Sequence, residues 1–141
     1  MSPQNIDRAV EALLASDERR IATLAILMPA AEAPDPNIVK AAVAKDGRAL
    51  YFSRAPIPFP RAGAPAYRKH LGLYAYRAET LAELAALPPS PLEKTESLEQ
   101  LRWLEAGYDI WVAEAWSDSI GVDSPEDLRR VEEFLKKEAV S

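Results

Sequence analysis

The side chains best suited to chemistry lie in the middle and towards the end of the chain. Arg48, Arg54, Arg61, Arg68, Lys69 and Arg77 occur within residues 47–78 without one Asp or Glu, so the rest of the chain carries -11 against a net charge of -5. A basic segment in an acidic protein suits a small anionic ligand more than a duplex, and the net charge argues against nucleic acid as a partner. The competing reading is that these cations pair with carboxylates elsewhere in the fold. His70 is the single imidazole and sits where Arg68-Lys69 meets a strand pattern. It is a ligand contact or a core-edge histidine without a role. Glu96, Glu99 and Gln100 are spaced i, i+3, i+4, which puts three acceptors on one face of a helix. Against a binding role stands a plain solvated face with Glu99 and Arg102 as a local pair. Asp123 lies between a glycine-containing turn and a helix cap, where a carboxylate is exposed yet held. On its position alone it supports the helix N-terminus, with Ser124 as the cap. With no cysteine in the chain, disulfides, thiol nucleophiles and thiolate metal sites are excluded, and hard cations such as Mg²⁺ held by oxygen become the default.

The elements that must position these residues are legible from period and punctuation. Ser2-Pro3 opens an amphipathic helix, with Ile6, Val10, Leu13 and Leu14 on one face. The unalternating run Ile21-Ala22-Thr23-Leu24-Ala25-Ile26-Leu27 suits an interior strand covered on both faces. After the Pro-rich loop at 29–36, residues 38–43 and 49–53 flank Lys45-Asp46-Gly47 as a β-hairpin. The alternate prolines of Arg54-Ala55-Pro56-Ile57-Pro58-Phe59-Pro60 make a stiff, extended loop. Residues 70–76 set Leu71, Leu73 and Ala75 against Gly72, Tyr74 and Tyr76, a strand alternation. A short helix at 79–87 stops at Pro88-Pro89. Ser90-Pro91-Leu92-Glu93 has capping-box spacing and opens a helix with Leu98, Leu101 and Leu104 inward and Gly107 at its end. A strand at 109–116, a loop and a last helix opened by Ser124-Pro125 complete the order.

At 141 residues, with 48% hydrophobic and 28% charged side chains, the chain has the composition of one soluble globular domain. The uncharged run at 21–31 is too short to span a bilayer and lacks a leader's flanks, so the expectation is a cytoplasmic protein with no membrane partner. The element order predicts an α/β fold with a mixed sheet and an antiparallel hairpin. The five glycines are isolated and none follows a first strand, so the phosphate cradle that usually opens a nucleotide-binding fold is missing.

Four stretches, in order, resemble the CMP-Kdo synthetase family, the 3-deoxy-manno-octulosonate cytidylyltransferases: Asn37-Ile38-Val39-Lys40 leading into Ala49-Leu50-Tyr51-Phe52-Ser53-Arg54-Ala55-Pro56-Ile57-Pro58; Tyr67-Arg68-Lys69-His70-Leu71-Gly72-Leu73-Tyr74-Ala75-Tyr76-Arg77; Leu92-Glu93-Lys94-Thr95-Glu96-Ser97-Leu98-Glu99-Gln100-Leu101-Arg102; and Gly121-Val122-Asp123-Ser124-Pro125-Glu126-Asp127-Leu128. The resemblance implies the C-terminal part of a nucleotide-diphospho-sugar transferase-like (Rossmann-like) fold, a single domain over 1–141 that is the family's sugar-binding and dimerisation half. The N-terminal part, with its triphosphate loop and Gln-Gly-Asp-Glu-Pro segment, has no counterpart here.

What the resemblance implies for function is transfer of CMP from CTP to the sugar acid Kdo, with pyrophosphate leaving, for lipopolysaccharide synthesis. It implies Arg54 as the carboxylate contact, His70, Glu96 and Gln100 as sugar ligands, and Asp123 as the catalytic Mg²⁺ ligand. A homodimer is expected, and activity is expected to need the missing nucleotide half. The alternative is a non-catalytic dimerisation or regulatory module derived from that family, and a relative acting on another acidic sugar would share the mechanism.

Overall fold

The structure, a computed structural model, describes residues 1–119, 128–129 and 131–133. Helix α1 (Pro3–Leu14) starts as the sequence dictates: Pro3 occupies the first turn and the Ser2 side chain accepts from the Asn5 amide. Strand β1 (Ile21–Leu27) follows, then the hairpin strands β2 (Lys40–Val43) and β3 (Ala49–Ser53), and the long strand β4 (Arg68–Tyr76). Helices α2 (Ala78–Ala85), α3 (Pro91–Glu96) and α4 (Gln100–Glu105) precede the last strand, β5 (Trp111–Glu114). The five strands form one sheet in the order β3-β2-β4-β1-β5. Only β1 and β5 run parallel; β1–β4, β2–β3 and β2–β4 are antiparallel. The mixed α/β sheet, its interior β1 and its hairpin are as the sequence predicts. The hairpin turn ends on Gly47 at φ +94°, a conformation that favours glycine.

The β4 alternation sorts the core into two layers. Leu71, Leu73 and Ala75 pack with Ala9, Leu24 and Ala115 beneath α1, whereas Tyr74 and Tyr76 join Ile21, Phe52, Leu101 and Trp103 on the other face. Helix α1 departs from expectation. Its buried side chains are Asn5, Ala9, Ala12 and Leu13, while Ile6, Val10 and Leu14 are 50%, 42% and 61% exposed. The reason is Asn5, whose amide donates to the Ser117 carbonyl at 2.9 Å and accepts from the Trp116 amide at 2.9 Å, pinning α1 to the chain beyond β5. Small Ala9 and Ala12 then face the sheet.

The helix expected to run from Ser90 to Gly107 is two. Its capping box forms, Ser90 and Glu93 each accepting the other's amide. Ser97 then takes left-handed φ 54°, ends α3, and α4 restarts at Gln100. Glu96, Glu99 and Gln100 therefore do not share a helix face: Glu99 is exposed and Gln100 buried. Nor does Arg102 pair with Glu99; it reaches back to both carboxylate oxygens of Glu93, at 2.5 and 2.7 Å. Most of the last helix, including its opening at Ser124, lies outside the described residues. Among those described, no helix is long and apolar enough to cross a membrane.

Candidate functional site

The site is built where the hairpin, the Pro-rich loop, β4 and the α3–α4 break meet. Lys40, in β2, is fully buried, and its ammonium donates to the carbonyls of Asp35 (2.9 Å), Ile38 (2.6 Å) and Arg54. All three ammonium protons are used on main chain. Burial lowers the Lys40 pKa, against which the nearby Asp35 and Glu96 raise it. The loop before β2 and the loop after β3 are thus tied through one cation.

Arg54 continues the clamp. Its Nε donates to the Glu96 carbonyl at 2.8 Å, and its terminal nitrogens donate to the carbonyls of Pro36 at 2.9 Å and Ser97 at 3.3 Å. The Glu96 carboxylate does not sit on the guanidinium. It accepts the Ser53 hydroxyl at 2.6 Å and the Arg54 amide at 3.0 Å. Arg54 is therefore held rigid by carbonyl dipoles and left without an ion-pair partner among the described residues. A guanidinium has five N–H donors, and three are engaged here. The left-handed Ser97 is what turns the Glu96 and Ser97 carbonyls towards Arg54.

His70 lies in β4 with its amide donating to Val39 at 2.9 Å, its ring 4.8 Å from Phe52 and 5.4 Å, edge-on, from Tyr74. Burial pushes its pKa down to about 4, so the ring is neutral at pH 7. Its Nε2 is 2.9 Å from the hydroxyl of the fully buried Thr23. Tyr74, on the same strand face, packs against Trp103 and buries a hydroxyl with no hydrogen-bond partner among the described residues; burial raises its pKa far above the ordinary value.

The structure thus joins Arg54 and Glu96 directly and links His70 to them through Phe52, the residue before Ser53. Gln100 is buried at the start of α4 and makes no hydrogen bond with the other three. Asp123 lies outside the described residues, and among those described no cluster of three or more His, Asp or Glu is placed to hold a metal ion. The sequence reading missed Lys40, Thr23 and Tyr74. Tyr74 had a signal: four residues from His70 on a strand, it must share that residue's face. Half of the basic segment is paired, as the competing reading had it. Arg48 binds Asp46 and Asp109, Lys69 binds Asp118 and Arg77 lies near Asp17. Arg54, Arg61 and Arg68 have no ion-pair partner among the described residues, and of these three only Arg54 is held by main-chain carbonyls.

Known proteins share this fold. The family described as cytidylyltransferase matches residues 1–110. A 3-deoxy-manno-octulosonate cytidylyltransferase of Acidobacterium capsulatum is 57% identical over 88% of this chain and 53% of its own length. One of Chlorobium limicola is 45% identical over 99% and 58%, respectively. The solved structure of a CMP:2-keto-3-deoxy-manno-octonic acid synthetase complexed with CTP superposes with a TM-score of 0.92 at 39% identity, covering 98% of this chain and 58% of that one. The chain spans between half and three-fifths of the length of these relatives. On the extent of that match, the chain belongs to the cytidylyltransferase family, and it is similar over nearly all its length to the members that act as 3-deoxy-manno-octulosonate cytidylyltransferases.

Proposed function

We propose that this chain contributes the sugar-acid site of a cytidylyltransferase that joins CMP from CTP to Kdo with release of pyrophosphate. The observation that carries the reading is Arg54: a guanidinium fixed by three carbonyls and not neutralised by a carboxylate among the described residues is a preorganised receptor for an anion. Its unengaged N–H groups take the Kdo carboxylate. The second oxygen lone pairs of Glu96, the Gln100 amide and His70 take sugar hydroxyls. In this arrangement the chain's residues bind and orient the sugar so that its anomeric hydroxyl faces the α-phosphate, and their contribution is positioning. Mg²⁺ with Asp123 as a carboxylate ligand is proposed on the resemblance alone; when bound, such an ion offsets charge on the phosphates.

The test is Kdo-dependent pyrophosphate release from CTP by this chain joined to the unmatched portion of the Acidobacterium capsulatum relative. Release that needs both substrates supports the reading. A folded hybrid that releases none counts against it.

A second reading, a non-catalytic association module, is favoured by the exposed stripe Ile6, Val10 and Leu14 and by Leu50, 65% exposed on the hairpin. Both readings include self-association into a homodimer, which light scattering at micromolar concentration would reveal. Only the first requires Kdo binding.

A further inference from the structure

We propose that Thr23 fixes the tautomer of His70, leaving Nδ1 as a pure hydrogen-bond acceptor that takes a sugar hydroxyl and rejects the sugar's carboxylate. The inference deepens the sugar-site reading above and rests on it for the identity of the ligand. Thr23 lies in the interior strand β1, fully buried, with its hydroxyl 2.7 Å from the Leu73 carbonyl and 2.9 Å from His70 Nε2. A hydroxyl has one proton, and a carbonyl oxygen only accepts. The proton therefore goes to Leu73, and Thr23 Oγ1 meets the imidazole with lone pairs. His70 Nε2 must supply the hydrogen. A neutral imidazole carries one N–H, so Nδ1 is left with its lone pair.

The fold builds this relay deliberately. The β1–β4 register shifts between Thr23 and Ala25, where Gly72 adopts φ +65° and β4 bulges. The Leu73 carbonyl at that bulge is the one Thr23 captures. Phe52 and Tyr74 wall the ring, and among the described residues no carboxylate lies on it to stabilise a second proton.

The consequence is a division of labour. An acceptor nitrogen repels a carboxylate and attracts a hydroxyl, whereas Arg54 does the reverse, so the two residues set which end of the sugar acid lies where. Neither Thr23 nor the tautomer is an outcome of charge; both follow from counting protons.

The chain has one histidine, so ¹⁵N-histidine labelling gives one pair of imidazole signals. At neutral pH the expected spectrum has Nε2 protonated and Nδ1 unprotonated, in the unaltered chain and in Thr23→Ser. Thr23→Val, which keeps the shape and removes the acceptor, is expected to show tautomer exchange and to weaken Kdo binding about 10-fold. Saturating Kdo should move the Nδ1 signal and leave Nε2 in place. A protonated Nδ1 in the unaltered chain, or a Thr23→Val spectrum identical to it, overturns the role of Thr23. If Kdo does not bind at all, the sugar-site reading falls, while the sugar-free spectra still decide the tautomer. Kdo that binds and shifts Nε2 instead overturns the acceptor assignment. The unaltered chain and Thr23→Ser decide the matter even where Thr23→Val fails to fold.

Discussion

Arg54 and Glu96 grip each other in both directions: the Glu96 carboxylate accepts the Arg54 amide at 3.0 Å, and Arg54 Nε donates to the Glu96 carbonyl at 2.8 Å. The same carboxylate takes the Ser53 hydroxyl at 2.6 Å. Glu96→Ala therefore leaves the hydroxyl of the buried Ser53 and the Arg54 amide without partners and should destabilise the chain by about 1 to 3 kcal/mol. Glu96→Gln, which keeps one acceptor oxygen, should cost roughly half as much. Urea unfolding of the two variants checks the ranking, and equal stability of all three proteins would refute it.

Lys40 is the larger stake. Replacing its buried ammonium with methionine removes three hydrogen bonds and strands the carbonyls of Asp35, Ile38 and Arg54. The expected loss is about 2 to 4 kcal/mol, or roughly 10 °C in Tm for a domain of this size. A thermal melt of Lys40→Met within 2 °C or so of the unaltered chain would show that the carbonyls find other partners.

Ser97 pays a conformational cost at φ 54°, a region that disfavours residues with a Cβ. Its role in the site is through its own carbonyl and that of Glu96, which glycine supplies equally. Ser97→Gly should raise stability by about 0.5 kcal/mol, after the greater freedom of the unfolded glycine is subtracted. A decrease would mean that α3 does not end where the backbone places it.

How far the sequence carried the fold follows from which forces are local. The caps at Ser2 and Ser90, the hairpin glycine and the β4 alternation are set by neighbours within a few residues, and all form as read. The face of α1 is not local. Its apolar positions cover more than one stripe, and Asn5 chose between them by binding Ser117 and Trp116, more than a hundred residues away. The break at Ser97 had no glycine to announce it. Consequently Glu96 could be named as a candidate while its partners, Ser53 and the Arg54 amide, could not. Arg54, held in a proline-stiffened loop, was legible as a fixed cation, but its three carbonyl partners belong to two other loops.

Acid should weaken the fold in two separable steps. His70 has a folded pKa of about 4, lowered by burial from an ordinary value near 6.5. The unfolded chain binds the extra proton between these values, so this stabilisation is complete above pH 6.5 and fades as pH falls to 4, by on the order of 3 kcal/mol. Glu93 is held down to about 2 by its hydrogen bond from Arg102. Its contribution is present above the ordinary carboxylate pKa and fades as pH falls towards 2. His70→Asn should flatten the upper step alone, and Glu93→Gln the lower. Unfolding free energies measured across this pH range give the slopes, and an unchanged upper slope in His70→Asn would put the imidazole in water.

The claim that Arg54 anchors an acidic sugar is tested most directly by calorimetric titration of Kdo into the chain and into Arg54→Ala, with circular dichroism confirming that the variant is folded. The account predicts saturable binding to the unaltered chain and an affinity lower by roughly 30- to 1000-fold in the variant, the loss expected for about 2 to 4 kcal/mol of charge-assisted pairing. A folded Arg54→Ala chain that binds Kdo as tightly as the original would contradict it, and Arg54 would be a clamp for the loops and nothing more.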